Sequence, residues 1–288
     1  MNVVAQSKQA ELGEMFPGYA VVSLAPTTKC DNHIGFWVHA EATLNLEGGG
    51  LFVNSNNPEC AFISFGNGSI RVRDDSRISV VGGARVQKPQ LITPFPMETG
   101  ISPIPFPPPY KEPRAGCGSK IASVDPLTGE MTSGNWDEGI FPPEGVTQLG
   151  SGVYCLQDDF IVGDGGTLTG SGVTIVMEDG NIKIGGHATI NLSAPKSGPN
   201  QGLLIYSPIG NRGIIALSGD GESNYMGTIY APGADLRING LDSLQGGAYH
   251  SQIIGFYVEI DGSSNILVRY KDDQNFDTYK MPEVLLSQ

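Results

Sequence analysis

One short pattern recurs three times between residues 202 and 261 at a constant spacing. The segments Gly202–Tyr206, Gly227–Ala231 and Gln252–Phe256 read GLLIY, GTIYA and QIIGF, and each begins 25 residues after the one before. A constant spacing in this range is typical of repeat proteins, in which each unit buries its apolar face against its neighbours. The pattern therefore predicts a stack of similar units.

A second series lies between these segments. Leu236–Gly240 and Val258–Gly262 begin 22 residues apart, and apolar and polar residues alternate strictly in both. This alternation is the pattern of a β-strand. Three strands of about five residues, joined by turns of about two to six, fill a repeat of this length. The spacing thus predicts a parallel β-helix with one turn per repeat, and the preference of parallel crossovers makes it right-handed.

The composition favours an all-β class, because 40 glycines and 20 prolines accompany only 16% charged residues, which indicates many turns and little helix. Acidic residues outnumber basic ones by 30 to 17, for a net charge of -13. This charge argues against nucleic acid or an anionic membrane surface as the main partner. No stretch approaches the ~20 apolar residues of a membrane span, and residues 1–20 lack a signal-peptide pattern.

The four cysteines, Cys30, Cys60, Cys117 and Cys155, are spaced too widely for a metal or redox motif. Two disulfides formed in an oxidising compartment are favoured over four buried thiols. Four cysteines allow three pairings. The sequential one, Cys30 with Cys60 and Cys117 with Cys155, is preferred because each bridge then spans one turn plus a loop.

The patterns divide the chain into five parts. The first is a lead-in over 1–18, in which a short helix is expected over Gln6–Met15. N-terminal β-helix turns over 19–86, a proline-rich strap and loop insertion over 87–145, and C-terminal β-helix turns over 146–270 follow. The acidic tail over 271–288 is expected to close the open end of the stack, since a charged end discourages pairing with another molecule.

Two local segments indicate particular structures. Nine of the 20 prolines lie between Pro89 and Pro113, so this segment is not a central strand. It is an exposed spacer, a docking site for an aromatic-lined groove, or a strap across the stack, and the strap is favoured. Asn54–Asn57 is interpreted as a corner because asparagine tolerates the left-handed conformation. An Asn ladder between turns is the more specific alternative.

One candidate function is that of a β-helix polysaccharide hydrolase or lyase. Asp158, Asp159, His187 and Arg237 occur in the order of the Asp-Asp, Gly-His-Gly and Arg-Ile-Lys motifs of pectin-hydrolysing β-helix enzymes. The Asn-Thr-Asp motif of those enzymes is missing, and two of the other motifs are altered. Glycoside hydrolysis requires two carboxylates at a controlled separation. A catalytic site is therefore not assigned.

A second candidate is a calcium-binding site in the acidic turns, with Asp158, Asp159 and Asp164 as the ligands. They match no calcium-loop consensus, and acidic residues beside glycine are ordinary turn formers, so no cofactor is assigned. Tyr206, Tyr230 and Tyr257 form an expected binding face if they point outward, because aromatic rings bind sugars and partner surfaces at low entropy cost. The alternative is that they point inward or are covered by loops.

The chain also resembles the TadG-like proteins associated with Tad/Flp pilus assembly, over about residues 19–275. The segments that carry the resemblance are Gly49–Ser55, Gly152–Cys155, Leu168–Ile175, Leu192–Pro195, Gly202–Tyr206, Gly227–Pro232 and Ser251–Gly255. The resemblance implies a membrane-anchored protein whose extracytoplasmic β-helical domain accompanies a pilus or the cell surface. Such proteins usually begin with an apolar anchor, which this sequence lacks.

These observations together predict a non-enzymatic surface protein with a structural or adhesive role. It would be extracellular or on the cell surface, anchored to the membrane in its full-length form, and associated with a pilus or the cell envelope. Its expected partners are pilus or envelope proteins, surface glycans, or further copies of itself. The alternatives are the polysaccharide hydrolase or lyase and a self-assembling filament subunit.

Overall fold

The computed structural model describes residues 12–31, 33–239, 247–262 and 265–281, and this part of the chain is built from β-strands. The predicted all-β class is confirmed. The strands up to residue 136 are β1 (Leu12–Glu14), β2 (Tyr19–Ser23), β3 (Phe36–Val38), β4 (Thr43–Glu47), β5 (Gly50–Val53), β6 (Phe62–Ser64), β7 (Ser69–Val72), β8 (Ile78–Val80), β9 (Ala84–Val86), β10 (Ile92–Thr93), β11 (Glu98–Thr99), β12 (Ser123–Val124), β13 (Glu130–Thr132) and β14 (Gly134–Trp136).

The later strands are β15 (Gln148–Leu149), β16 (Gly152–Leu156), β17 (Phe160–Val162), β18 (Thr167–Ser171), β19 (Val173–Met177), β20 (Ile182–Ile184), β21 (Thr189–Ser193), β22 (Leu203–Tyr206), β23 (Ile214–Leu217), β24 (Asn224–Met226), β25 (Thr228–Ile238), β26 (Ala248–His250), β27 (Ile253–Ile260), β28 (Asn265–Arg269) and β29 (Asp277–Tyr279). Short 3-10 helices cover Pro89–Leu91 and Asp272–Gln274. No helix in the described residues is long and apolar enough to cross a membrane.

The strands pair into three ladders. The first ladder has the order β11-β8-β5-β2-β27-β25-β22-β19-β16-β14, and the second has the order β9-β6-β3-β27-β25-β23-β20-β17. The third ladder has the order β10-β7-β4-β28-β26-β24-β21-β18-β15-β13-β12. The long strands β25 and β27 take part in both the first and the second ladder. Neighbours run parallel, except that β12 is antiparallel to β13.

The two repeated series of the sequence occupy neighbouring ladders. Ile229 pairs with Ile253 in the first ladder, whereas Leu236 pairs with Val258 in the second. The register shifts between these two pairings, where the chain passes from one ladder to the next. The 22-residue spacing of the second series is thus the pairing offset itself, whereas in the first series a register shift between the pairs Leu203–Thr228 and Ile205–Ile229 reduces the offset from 25 to 24 residues.

One hydrophobic core receives side chains from all three ladders. Ile253 of the first ladder, Val258 of the second and Ile266 of the third all belong to it and are at most 1% exposed. Residues of one strand that alternate with core residues face outward, as the pleat requires. Tyr225 and Tyr249 stack within this core, with their ring centroids 5.0 Å apart.

The first described strand of the three ladders, β2, lies in the middle of the stack. We call one passage of the chain through the three ladders a layer. β2 pairs with β5 on one side and with β27 on the other, so the first and the last layers are neighbours. From β2 the chain winds to one end of the stack, which it reaches at β11, and after β12–β14 at the opposite end it winds back to β28. We call the pairing of β2, β3 and β4 with β27 and β28 the seam.

The described part of the acidic tail, residues 271–281, does not close an end of the stack, contrary to the prediction. Its described strand β29 pairs with β1 in an antiparallel sheet of its own. The same pairing shows that the helix expected over Gln6–Met15 is wrong for Leu12–Glu14, while residues 6–11 lie outside the described residues. The last described strands of the three ladders have no open edge for the tail to cover, because the last layer pairs with the first.

Both ends of the stack are protected in other ways. At one end, β10 and β11 have two residues each, and Pro94 and Pro96 lie between them. At the other end, Asn135 of β14 accepts a hydrogen bond from the backbone of Ala122 and donates one to that of Lys120. Short edge strands, prolines and covered edges all discourage pairing with another chain.

Residues 100–122, which we call the strap, connect the two ends along the outer side of the first ladder. Ile104, Phe106 and Tyr110 of the strap pack on a second hydrophobic cluster that includes Tyr206 and Tyr230. The ring of Phe106 lies 5.1 Å from that of Phe256 in β27. The proline-rich segment is therefore a strap from residue 100 onward, whereas residues 92–99 supply two edge strands.

The disulfides have the predicted pairing, Cys30 with Cys60 and Cys117 with Cys155. The second bridge fastens the end of the strap to β16. The first joins the segment after β2 to the segment before β6. One bridge thus connects a loop to a strand and the other connects two loops, and both indicate an oxidising environment.

The corner at Asn54–Asn57 forms for a reason different from the expected one. None of these four residues has a positive φ angle. Asn54 is buried and its amide donates to the carbonyls of Leu24 and Ile104, at 3.1 and 2.8 Å, while its oxygen accepts from the Ile104 N–H at 2.8 Å. The side chain therefore ties the strap to two layers and takes no part in an Asn ladder.

The first residue of each 25-residue repeat has a separate role. Gly202 has a φ angle of +76°, and a Cβ atom there would lie 2.3 Å from the Asn275 carbonyl oxygen. Gln252 replaces glycine in the third repeat. Its amide donates to the carbonyl oxygens of Met15 and Tyr19, at 2.5 and 3.0 Å. The substitution thus anchors the N-terminal segment on the first ladder.

Replacing Asn54 with alanine tests the attachment of the strap. The change removes three hydrogen bonds and leaves buried partners of the strap unpaired, so we expect Asn54→Ala to lower the free energy of unfolding by about 1–3 kcal/mol. Urea denaturation measures the loss. The neighbouring Asn56 is exposed, and Asn56→Ala is the control with little expected change. Equal stability of the two variants would contradict this role of Asn54.

Removing the Cys117–Cys155 bridge tests whether it holds the strap. The double variant Cys117→Ser, Cys155→Ser frees one end of the strap, so trypsin should cleave faster after Lys111 and Arg114, which lie within it. Mass spectrometry of timed digests measures the rate. The control is Cys30→Ser, Cys60→Ser, which leaves the strap attached. Equal acceleration in both double variants would show that the strap is not held by its own disulfide.

Candidate functional site

A groove on the outer side of the second ladder is the candidate functional site. It crosses the seam, where β27 pairs with β3, and has a volume of about 450 Å³. Its walls combine aromatic rings with ionisable groups. The residues that define its chemistry are Asp31, Trp37, Asp235, Arg237, Tyr257 and Glu259.

Strand alternation explains why these side chains meet. Phe36 and Val38 point into the core, so Trp37 between them faces outward. Parallel pairing places Trp37 beside Glu259, and Glu259 beside Arg237. The groove therefore rests on strand positions that are fixed by pairing on both sides.

The aromatic groups of the groove are supported by neighbouring rings. Trp37 stacks on His39, with ring centroids 3.8 Å apart and planes 20° apart. Tyr257 contacts the ring of His33 at 5.2 Å and that of Phe256 at 4.7 Å. Trp37 and Tyr257 are both half-buried, so part of each ring is accessible from the groove.

An ion-pair network runs along one side of the groove. The Nε2 atom of His39 lies 2.9 Å from one carboxylate oxygen of Glu259, and the Nε atom of Arg237 lies 3.3 Å from the other. The Nδ1 atom of His39 is 3.5 Å from Asp261. Glu259 thus engages a different partner with each oxygen.

The same residues form the one group in the described part of the chain that has metal-ligand spacing. The ligand atoms of His39, Glu259 and Asp261 lie within 4.8 Å of one another. Both Glu259 oxygens are already engaged, one by His39 and one by the guanidinium of Arg237. The cluster is therefore described as an ion-pair network, and no metal is assigned to it.

The surroundings of Asp235 in the groove disfavour its ionised form. Burial raises the pKa of Asp235 above its usual value, while His33 and Arg237 partly offset the effect of burial. The pKa of Asp220, in a turn beside the third ladder, shifts in the opposite direction. Burial opposes its ionisation, but hydrogen bonds from Thr189, Glu222 and Ser223 outweigh burial, so its pKa is lowered.

Two of the three tyrosines of the expected binding face are covered. Tyr206 and Tyr230 face outward from the first ladder and stack at 6.0 Å, but they are 4% and 1% exposed beneath the strap. Burial, together with the charge of Glu112, raises the pKa of both phenols. Tyr257 is the member of the set that borders the groove. Tyr206 and Tyr230 are therefore covered by another segment, which was the alternative to an exposed binding face.

The four residues of the hydrolase-like order do not converge. Asp158 and Asp159 precede β17, whereas His187 follows β20 and lies 3.7 Å from Asp164 beyond the far end of β17. Arg237 is three strand spacings from β17, or roughly 14 Å, and pairs with Glu259. Asp158 and Asp159 therefore do not share one site with His187 and Arg237.

The expected calcium ligands are also separated by a strand. Asp159 accepts hydrogen bonds from the backbone and side chain of Asn181, at 2.8 and 2.9 Å. Asp164 accepts one from the His187 N–H at 3.1 Å on the other side of β17. These carboxylates stabilise turns between neighbouring layers, as expected of ordinary turn residues.

The residues of the groove were not among the predicted site residues, apart from Tyr257 and Arg237. A signal existed in the sequence, because Trp37 alternates with two apolar residues and must face outward. Its partners could not be identified, since Glu259 and Tyr257 lie more than 200 positions later in the chain. Only the seam brings them together.

The chain was compared with protein-family models, with curated proteins and with solved structures, and none of them matches. The resemblance to TadG-like proteins therefore stays a prediction. The chemistry of the groove follows from its own side chains.

Replacing Asp235 with asparagine tests the effect of burial on its ionisation. A raised pKa means that the folded state binds the proton more tightly than the unfolded state, so ionisation of Asp235 lowers stability above its folded pKa and has no effect below 3.8, its ordinary value. We expect Asp235→Asn to raise the free energy of unfolding at pH 8 and to leave it unchanged near pH 3. Urea denaturation at both pH values measures the difference.

Asp220→Asn is the matched comparison for this experiment. The lowered pKa of Asp220 means that its ionised form stabilises the fold at pH 8, and that this contribution is lost as the pH falls through its folded pKa. The two variants should therefore differ in sign at pH 8. A destabilising Asp235→Asn substitution at that pH would contradict the assignment.

Proposed function

We propose that this chain is a non-enzymatic extracytoplasmic surface protein with a structural or adhesive role, folded as a right-handed parallel β-helix. The observation that carries the proposal is a stack of parallel layers around one core, with two disulfides fastening its loops. Such a stack is rigid and presents long flat surfaces to its surroundings.

The order of the strands supports the β-helix. From β24 in the third ladder the chain enters the first and then the second ladder within β25, and it repeats this course through β26 and β27. Three parallel ladders visited in a constant order, with one shared core, are what a β-helix requires. The right-handed form is proposed from the general preference of parallel crossovers.

The disulfides and the charge support a location outside the cytoplasm. Disulfides persist in oxidising compartments, and a net charge of -13 favours solubility there. Association with a Tad/Flp-type pilus or with the cell envelope is proposed from the resemblance to TadG-like proteins. An anchor in the full-length protein belongs to the same part of the proposal.

An adhesive role would use the second ladder rather than the first. The strap covers the tyrosines of the first ladder, whereas the groove leaves Trp37 and Tyr257 partly accessible. Half-buried aromatic rings on a rigid surface are suited to binding because few rotamers are lost on contact. The groove is therefore the surface proposed to meet a partner.

The other two functions have less support. A polysaccharide hydrolase would need the carboxylates of Asp158 and Asp159 near His187 and Arg237, and these groups lie far apart. A filament subunit built by stacking end on end would need free edges, but short strands, prolines and the strap protect both ends.

Labelling of cells tests the proposed location. An antibody against the chain should label intact cells of the source organism, and shearing the cells should release the protein with the pilus fraction. The control is an antibody against a cytoplasmic protein, which should label permeabilised cells alone. Labelling of this chain only after permeabilisation would refute the proposal. Release of reducing sugar from acidic polysaccharides by the purified protein would instead support the enzyme.

A further inference from the structure

We propose that the groove on the second ladder binds a glycan that contains amino sugars and no acidic groups. The inference rests on the adhesive role proposed above and names the ligand class of the same groove. It is carried by three observations: two accessible aromatic rings on adjacent strands, an excess of carboxylates, and a rigid support beneath the rings.

The two rings are placed to contact successive parts of one chain-like ligand. Trp37 pairs with Glu259, and Tyr257 lies two residues before Glu259 on the same strand, so both rings are on the outer side of adjacent strands. Strand geometry separates their Cα atoms by about 8 Å, from a spacing of ~4.8 Å and two rises of ~3.3 Å. The electron-rich face of an aromatic ring attracts the polarised C–H groups of a sugar ring.

The charges of the groove select among glycans. Asp31, Asp235 and Glu259 contribute three carboxylates to its described lining, against the guanidinium of Arg237 and the imidazole of His33. Both Glu259 oxygens are engaged by His39 and Arg237, so Asp235, which lies beside Tyr257 on the neighbouring strand, is the carboxylate placed to pair with a protonated amine. The same carboxylates repel uronic acids and sulfated sugars. Charge complementarity therefore favours an amino sugar over a neutral sugar, and both over an acidic one.

The support beneath Trp37 keeps its ring in one orientation. The indole packs against the cluster of Ile34, Cys60 and Ile63 on one side and stacks on His39 on another. Ile63 belongs to β6, and the Cys30–Cys60 disulfide joins this cluster to the segment that follows β2. A ring that is already fixed loses little conformational entropy when a ligand binds.

Calorimetric titration of the purified chain at pH 6 tests the proposal. The probes are the hexamers of glucosamine, of glucose and of galacturonic acid. We expect the glucosamine hexamer to bind most tightly, the glucose hexamer more weakly, and the galacturonic acid hexamer not at all. Tyr257→Ala and Trp37→Ala should each weaken binding of the glucosamine hexamer by about tenfold or more.

Two further variants make the test specific. Tyr279→Ala is the matched control, since Tyr279 is an exposed tyrosine of β29, outside the second ladder, and it should bind like the unaltered chain. Asp235→Asn should reduce the preference for glucosamine over glucose while leaving both able to bind. Thermal melts verify folding, and Tyr257→Ala decides the outcome if Trp37→Ala does not fold.

Three results would overturn the inference: no binding of any hexamer, binding that both ring variants leave unchanged, or a preference for the acidic hexamer. Loss of self-association in Tyr257→Ala, measured by sedimentation in the absence of saccharide binding, would assign the groove to a second copy. These results concern the purified protein. They would leave the proposed location untouched, just as an intracellular location would leave the binding measurement valid.

Discussion

The seam is the interaction on which the rest of the structure depends. Val21 pairs with Ile253, Phe36 with Val258, and Leu44 with Ile266, one pair in each ladder. Without these pairings the chain would form two shorter stacks, each with an exposed edge of three strands. With them, both ends of the stack are built from the middle of the chain, where prolines and the strap are available to protect them.

The strap and the groove divide the outer surface between them. The strap must run the length of the stack, because the chain reaches one end at β11 and resumes at the other with β12. In doing so it buries the aromatic residues of the first ladder. The second ladder keeps its outward aromatic residues accessible at the seam, and this is why the groove rather than the tyrosine pair is the surface available to a ligand.

The sequence predicts the layers better than their order. Alternation at Leu236–Ile238 and Val258–Ile260 and the spacing of Gly202, Gly227 and Gln252 are local properties. They indicate where the strands lie, and the 22-residue spacing also gives the register of the second ladder. The cysteine pairing also follows from local spacing. The arrangement of the layers depends instead on pairing between residues more than 200 positions apart, which no local pattern encodes.

The candidate site was missed for the same reason. Trp37 could be recognised as outward-facing, but Glu259 and Tyr257 become its neighbours only through the seam. Conversely, the hydrolase-like order along the chain does not correspond to one site. Asp158 and Asp159 lie at one end of β17, His187 lies beyond the other end, and Arg237 lies three strands away. Order in the sequence is therefore a poor guide to proximity in a stack whose first described strand lies in its middle.

The position of the seam also has a consequence for biosynthesis. Residues 19–99 contain β2 to β11, and they are synthesised before the partners of β2, β3 and β4, which lie more than 200 positions later. Until then this half of the stack presents an unpaired parallel edge, which is prone to wrong pairing and aggregation. Contacts so distant in sequence form slowly, so closing the seam is the step that ends the vulnerability of the nascent chain.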